Sequence, residues 1–193
     1  MTPAEHPANH PANHPKVHPI VLFGDPVLDT PASYVTAFDD KLQKLIDEMF
    51  ASMYSAHGVG LAAPQIGIGK RIAVIDCSFK ERPEERYVLV NPEIIGTEGK
   101  QRGGEGCLSL PDFREELTRP NRATVRAQDV TGKEFELTGE GLLARAILHE
   151  TDHLNGRLYI SHLSALKRDL IKRKIKKLVK AGEWVYEPPP SAM

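Results

Sequence analysis

The sequence predicts an α+β domain, with antiparallel or mixed β-sheets packed around a central helix. Three observations carry that prediction. Short β-branched segments recur with tight connections between them, which favours antiparallel pairing. Stretches near each end of the chain have apolar residues at helical spacing. Between them, the apolar run Gly141-Leu142-Leu143-Ala144-Arg145-Ala146-Ile147-Leu148 reads as a further helix and leads into His149-Glu150-Thr151-Asp152-His153.

A chain of 193 residues suits one domain with a proper core. With 40% hydrophobic and 26% charged residues it falls in the ordinary globular class. A net charge of −1 gives the whole molecule no general pull toward nucleic acid. No apolar run approaches the ~20 residues of a membrane span, and the N-terminus lacks the regions of a signal peptide. Two cysteines, Cys77 and Cys107, make no disulfide framework, so a cytoplasmic location is expected.

Residues 1–16 repeat His, Pro, Ala and Asn, and the recurring proline forbids a continuous helix. A disordered or polyproline-like tail is expected there, with the domain spanning 17–180 and a second tail over 181–193. A helix opens at Thr36 or at Phe38-Asp39 and runs to about Ala56; Leu42, Leu45, Ile46, Met49, Phe50 and Met53 give its stripe, and Gly58 stops it. The glycine-rich stretch from Gly58 to Gly69 lacks a Gly-Lys-Ser/Thr ending, so no nucleotide cofactor is expected. Strands are predicted over 71–76, 87–91, 93–96, 123–128 and 134–138, the last two joined by a Thr131-Gly132 turn. Cys77 ends a strand and reads as a small hydrophobe. Cys107, in the glycine-rich run Gly103 to Pro111, is poorly placed for simple core filling. A last helix from Ser164 to about Lys180 carries eight Lys and Arg against the single Asp169. That face is either a solvated surface or a docking site for an RNA-rich partner.

On a helix, His149 and His153 share a face and can reach one metal ion, with Glu150 beside it as general base. A catalytic metal normally needs a third protein ligand and a position open to water. Tyr159 stands where a metzincin-type protease would have its third histidine, and the downstream acids Asp169, Glu183 and Glu187 are poorly placed. Cys107 is the remaining candidate. Two other readings use the same residues: a zinc peptidase, or a non-catalytic ribosome- or RNA-binding protein with a structural metal. The second would need a fourth ligand, for which only His57 and His162 are at hand.

Three segments together resemble the peptide deformylase family: Gly58-Val-Gly-Leu-Ala-Ala-Pro-Gln65, Glu105-Gly-Cys-Leu-Ser109 and His149-Glu-Thr-Asp-His153. The resemblance runs from about Val17 to Lys180. It implies hydrolysis of the N-formyl group from the initiator formylmethionine of nascent polypeptides, releasing formate. It implies one divalent metal on Cys107, His149 and His153, with Fe(II) expected in the cell and Zn, Ni or Co in purified material. Glu150 would act as general base and acid, with the Gln65 amide and the Leu108 N–H as oxyanion donors. Gly60 and Gly106 would pair with the substrate backbone, and Val59, Leu142 and His149 would line the methionine pocket. Arg145 matches a position that is apolar in some members, and its stem can still cover apolar surface. Glu105 and Asp152 would orient the ligands or pair with Arg114 or Arg119. The basic C-terminal helix is compatible with ribosome binding, and no membrane partner is expected.

Overall fold

A computed structural model describes residues 15–185. The first fourteen residues of the His/Pro-rich segment and the chain from 186 onward lie outside the described residues. Among the described residues, three α-helices, α1 (Asp40–Ser55), α2 (Gly141–Leu154) and α3 (Ala165–Ala181), accompany seven strands. The strands are β1 (Gly60–Ala62), β2 (Ile72–Asp76), β3 (Arg86–Glu98), β4 (Gln101–Cys107), β5 (Leu110–Arg119), β6 (Arg122–Gln128) and β7 (Glu134–Glu140). Five form one sheet in the order β1-β2-β3-β6-β7, while β4 and β5 form a separate hairpin. Every strand pair is antiparallel, so the α+β architecture is as expected.

The helix α1 begins where Asp39 caps it: the carboxylate accepts from the backbone N–H of Lys41 and Leu42, both at 3.1 Å. It ends before Gly58, because His57 itself takes the left-handed conformation, with φ 55°. Leu42, Ile46, Met49 and Met53 are buried against Leu61 and Val74 of the sheet.

The two segments predicted over 87–91 and 93–96 are one strand, β3. Asn91 ends the first of them at φ 52°, and the register with β6 shifts between Val90 and Glu93. The irregularity is held by the Asn91 side chain, which bonds the N–H and C=O of Val35, both at 2.9 Å. Pro92 has no N–H to give to the ladder, so a break costs little at this point.

α2 packs across β1, β2, β6 and β7. Ala146, Ile147 and Leu154 enter a cluster with Ala62, Ile75, Leu89 and Val125. Burying Ile147 and Leu154 completely contributes roughly 1.5–3 kcal/mol each. Gly139 on β7 permits this close approach, since a Cβ there would lie 2.7 Å from Leu143 Cγ. The far end of α2 is fixed by Arg71, whose Nη1 donates to Leu154 O at 3.1 Å and to Asn155 Oδ1 at 3.0 Å.

A third cluster lies behind the β4–β5 hairpin and includes Leu110, Leu117, Tyr159, Ile171 and Ile175. Trp184, beyond the end of α3, packs on Phe113 and donates its indole N–H to Phe23 O at 3.0 Å. On α3, Ile171 and Ile175 are buried, while Leu166, Leu170 and Val179 are exposed. No helix among the described residues is long and apolar enough to cross a membrane.

Candidate metal centre

The centre is assembled from α2 and the β4–β5 hairpin. One turn of α2 separates His149 from His153, which puts both imidazoles on one face with ring centroids 5.0 Å apart. The hairpin supplies Cys107 at a bulge. Gly106 pairs with Arg114 but Cys107 pairs with Leu110, leaving the intervening residues of β5 unpaired and Asp112 at φ 65°. Such a bulge re-aims a side chain. Here it coincides with Cys107 at the end of β4, whose Sγ lies 3.2 Å from His153 Nε2. One ligand atom from each of Cys107, His149 and His153 lies within 4.8 Å of the others.

Around these three, a buried charge network holds one orientation. Glu105 is almost fully buried, and its Oε1 lies 2.7 Å from His149 Nδ1. That contact assigns the His149 proton to Nδ1 and leaves Nε2 free to face the cluster. Glu105 also accepts two bonds from Arg119, at 2.6 and 3.1 Å, and one from Arg145 at 2.8 Å. Burial alone would raise the Glu105 pKa, but the His149 and Arg119 contacts outweigh it and hold the carboxyl well below the usual range. Arg119 reaches on to Asp152 at 2.7 Å, and Asp152 lies 2.8 Å from His162 Nε2. Burial lowers the proton affinity of both ligand imidazoles. Cys107 and Glu105 reverse that for His149, whereas His153, beside His149, stays well below its ordinary value and keeps a lone pair available.

Glu150 is buried, and burial pushes its carboxyl up to about 7 against the opposing pull of His149. Its Oε2 is buried with no hydrogen-bond partner among the described residues. Leaving a carboxylate oxygen unpaired is costly, so such an atom marks a place where a proton, water or ligand belongs. Gly60 makes room for this side chain: a Cβ there would lie 2.9 Å from Glu150 Cδ and closer still to Oε1. Gln65 stands on a 3₁₀ turn, Ala63–Ile66, with its Oε1 accepting from Ala62 N at 2.9 Å. That bond turns its Nε2 toward Ser109 Oγ at 3.3 Å and Cys107 Sγ at 3.5 Å.

Val59, Gly60, Gly106, Leu108, Leu142 and Arg145 all line one cavity of about 860 Å³ that opens over Cys107 and Glu150. Leu142 is half exposed at the mouth, and Leu108 occupies the turn between β4 and β5. Arg145 covers the wall with its stem, and its guanidinium is committed to Glu105. Of the two candidate arginine partners, Arg119 bridges Glu105 and Asp152; Arg114 flanks Gly104 and Gly106 instead.

Among the described residues the competing ligand sets do not assemble. Tyr159 is buried, stacks on His149 with centroids 6.3 Å apart, and spends its hydroxyl on Phe113 O at 3.1 Å. His162 is engaged by Asp152 outside the cluster. Sequence reasoning did not single out the Ser109 hydroxyl, Tyr159 as a packing partner of His149, or Arg71 behind α2. Ser109 alone had a signal, being two residues from Cys107 in the same glycine-rich run.

A family model for polypeptide deformylase matches residues 17–169. The chain belongs to the polypeptide deformylase family. It is 59% identical over 165 residues to a peptide deformylase of Acidobacterium capsulatum, covering 86% of this chain and 97% of that one. A crystal structure of a peptide deformylase from Legionella pneumophila superposes with a TM-score of 0.79 at 45% identity, over 87% of this chain and 98% of that one. The peptide deformylase of Synechococcus elongatus, solved in complex with actinonin, gives 0.77 at 40% identity over 86% and 90%. As a deformylase relative the chain is an enzyme, and its ligand group fits the divalent metal of that family. One cysteine sulfur and two imidazoles converge, His149 is oriented by Glu105, and beside them Glu150 Oε2 has no hydrogen-bond partner among the described residues.

Proposed function

We propose that this chain hydrolyses the N-formyl group of formylmethionyl nascent peptides, with Cys107, His149 and His153 holding the metal and Glu150 moving the proton. The observation that carries the reading is the buried Glu150 Oε2, without a hydrogen-bond partner among the described residues, beside the Cys-His-His group. When bound, the divalent ion would polarise the formyl oxygen and acidify a water.

The chain's own residues would do the rest. Glu150, pushed up to about 7, takes a proton from the attacking water and returns it to the departing amine. The Gln65 amide and the Leu108 N–H donate to the oxygen on which negative charge develops. Gln65 is prepared for this because Ala62 N fixes its carbonyl end. Gly60 and Gly106 offer bare backbone to the peptide from opposite sides, and Val59, Leu142, Arg145 and His149 line the methionine pocket. Glu105 holds the His149 imidazole in place, and Arg119 cross-links it to Asp152, which meets His162. Arg114 borders the peptide path at Gly106.

The metal in the cell is proposed as Fe(II), with Zn, Ni or Co in purified material, since imidazole and thiolate suit several ions. The exposed Leu166, Leu170 and Val179 among the cations of α3 support docking to the ribosome, and cytoplasmic translation is the proposed setting. Binding that weakens with salt would check that surface. Actinonin, bound by the Synechococcus relative, is proposed as a ligand of the same cavity.

Formate release from formyl-Met-Ala-Ser by anaerobically purified, Fe(II)-loaded protein tests the reading, beside Cys107→Ser. Turnover that the variant loses supports it. Absence of formate from loaded wild type would refute the activity, and full activity in the variant would refute the ligand set.

A further inference from the structure

Phe79 is an aromatic residue whose side chain is left in solvent at the lip of the peptide cavity, 64% exposed. An exposed phenylalanine alone means little. Its backbone says more. Phe79 and Lys80 both adopt left-handed φ, 54° and 74°, at non-glycine positions, which costs about 1 kcal/mol or more each.

The surrounding bonds hold that conformation. Asp76 is fully buried, and its Oδ1 accepts from Ser78 N at 2.9 Å and Ser78 Oγ at 2.7 Å. Its Oδ2 accepts from Lys80 N at 3.1 Å and from Tyr54 OH of α1 at 2.6 Å. The Lys80 ammonium then sits over the Tyr54 ring, 4.3 Å from its centroid. The turn is therefore fastened to both β2 and α1, and the ring of Phe79 is presented by a fixed support.

The place where it is presented matters. Asp76 N donates to Val59 O at 2.9 Å, which ties the base of the turn to the segment entering β1. Among the described strands, β1 is an edge of its sheet, paired only with β2. It runs from Gly60 toward Gln65, which stands at the Cys107 end of the cavity. A peptide whose formyl end lies at Cys107 and Glu150, antiparallel to this edge, passes its following residues back toward Val59 and Gly58. That is the side on which the Phe79 turn stands.

We infer that Phe79 is a specificity-determining contact for the peptide beyond its formylmethionine, favouring an apolar or aromatic side chain at the second or third residue. The inference rests on the deformylase reading. Covering one exposed ring with an apolar side chain should change kcat/KM about tenfold.

The test compares formate release from formyl-Met-methylamide, formyl-Met-Leu-Phe and formyl-Met-Asp-Ser. Wild type is set beside Phe79→Ala and Phe79→Gly, the glycine relieving the left-handed backbone so that the fold is kept. The expected result is an apolar-over-acidic preference in wild type that falls about tenfold in both variants, while the methylamide, too short to reach the turn, stays within about twofold. An unchanged preference would overturn the inference. So would an equal loss on all three substrates, since the turn would then be acting on the reaction itself. Wild type that releases formate from none of them would overturn the deformylase reading, and this contact with it.

Discussion

Replacing Glu105 with glutamine tests the charge network most directly. The variant keeps nearly the same shape and leaves an amide oxygen that can still accept from His149 Nδ1. What it removes is the charge that faces Arg119, Arg145 and His149 within 2.6–2.8 Å. Both the Glu105 and Arg119 side chains are at most 5% exposed, so water cannot replace the lost partner. Breaking a buried ion pair by removing one member costs about 3–5 kcal/mol. Asp152 remains on Arg119 at 2.7 Å, and Leu117 O remains near Arg145, so the lower figure, about 3 kcal/mol, is expected. For a chain of this length that lowers Tm by roughly 6–12 °C. The His149 ring also loses the negative charge that raises its basicity, and metal affinity should fall about 10–100-fold. Urea and thermal unfolding of metal-loaded wild type and Glu105→Gln would measure the first, and competition with a chelator the second. A loss under about 1 kcal/mol, with chelation unchanged, would show that shape rather than charge holds the imidazole.

Other outcomes follow from the same contacts. Gly60→Ala places a methyl against Glu150 and should cost about 1–3 kcal/mol and most of the activity while the Cys-His-His group still takes up metal, read by Co(II) absorption. Glu105, Asp152 and Asp76 all have folded pKa values held below the ordinary carboxylate range, by hydrogen bonds and cations that outweigh the effect of burial. Their stabilisation is complete above the unfolded value near ~4 and is lost as pH falls through it toward the folded values. Urea midpoints should therefore be flat from about pH 6 to 5 on this account and fall steeply below about 4; a midpoint constant down to pH 3 would contradict it. Arg71→Met removes the donors on Leu154 O, Asn155 Oδ1 and Pro92 O and should cost about 1–3 kcal/mol, measured by denaturant unfolding.

Much of this molecule is legible without coordinates, and the exceptions share a cause. The α1 stripe, the two imidazoles one turn apart and the basic C-terminal helix follow from local spacing, because helical contacts lie three or four residues away. The hairpin strands β4 and β5 escaped the pattern reading. Gln101–Cys107 is rich in glycine, and Leu110–Arg119 carries consecutive charges at Arg114, Glu115 and Glu116, so neither looks like a strand. The split of β3 at Pro92 misled in the opposite direction, since Asn91 bridges the gap by bonding to Val35, 56 residues away. The resemblance named Cys107 as the third ligand, yet only packing brings it to His153 across 46 residues, at a bulge no local rule forecasts.

The same holds for charge. Spacing within α2 determined which atoms could face one ion. Tertiary structure decided that Glu105 rather than water meets His149, that Arg119 rather than Arg114 bridges the carboxylates, and that Arg145 pairs instead of merely lining a pocket. Electrostatic pairing depends on distance and burial, and both are set by which distant segments of the chain are packed together.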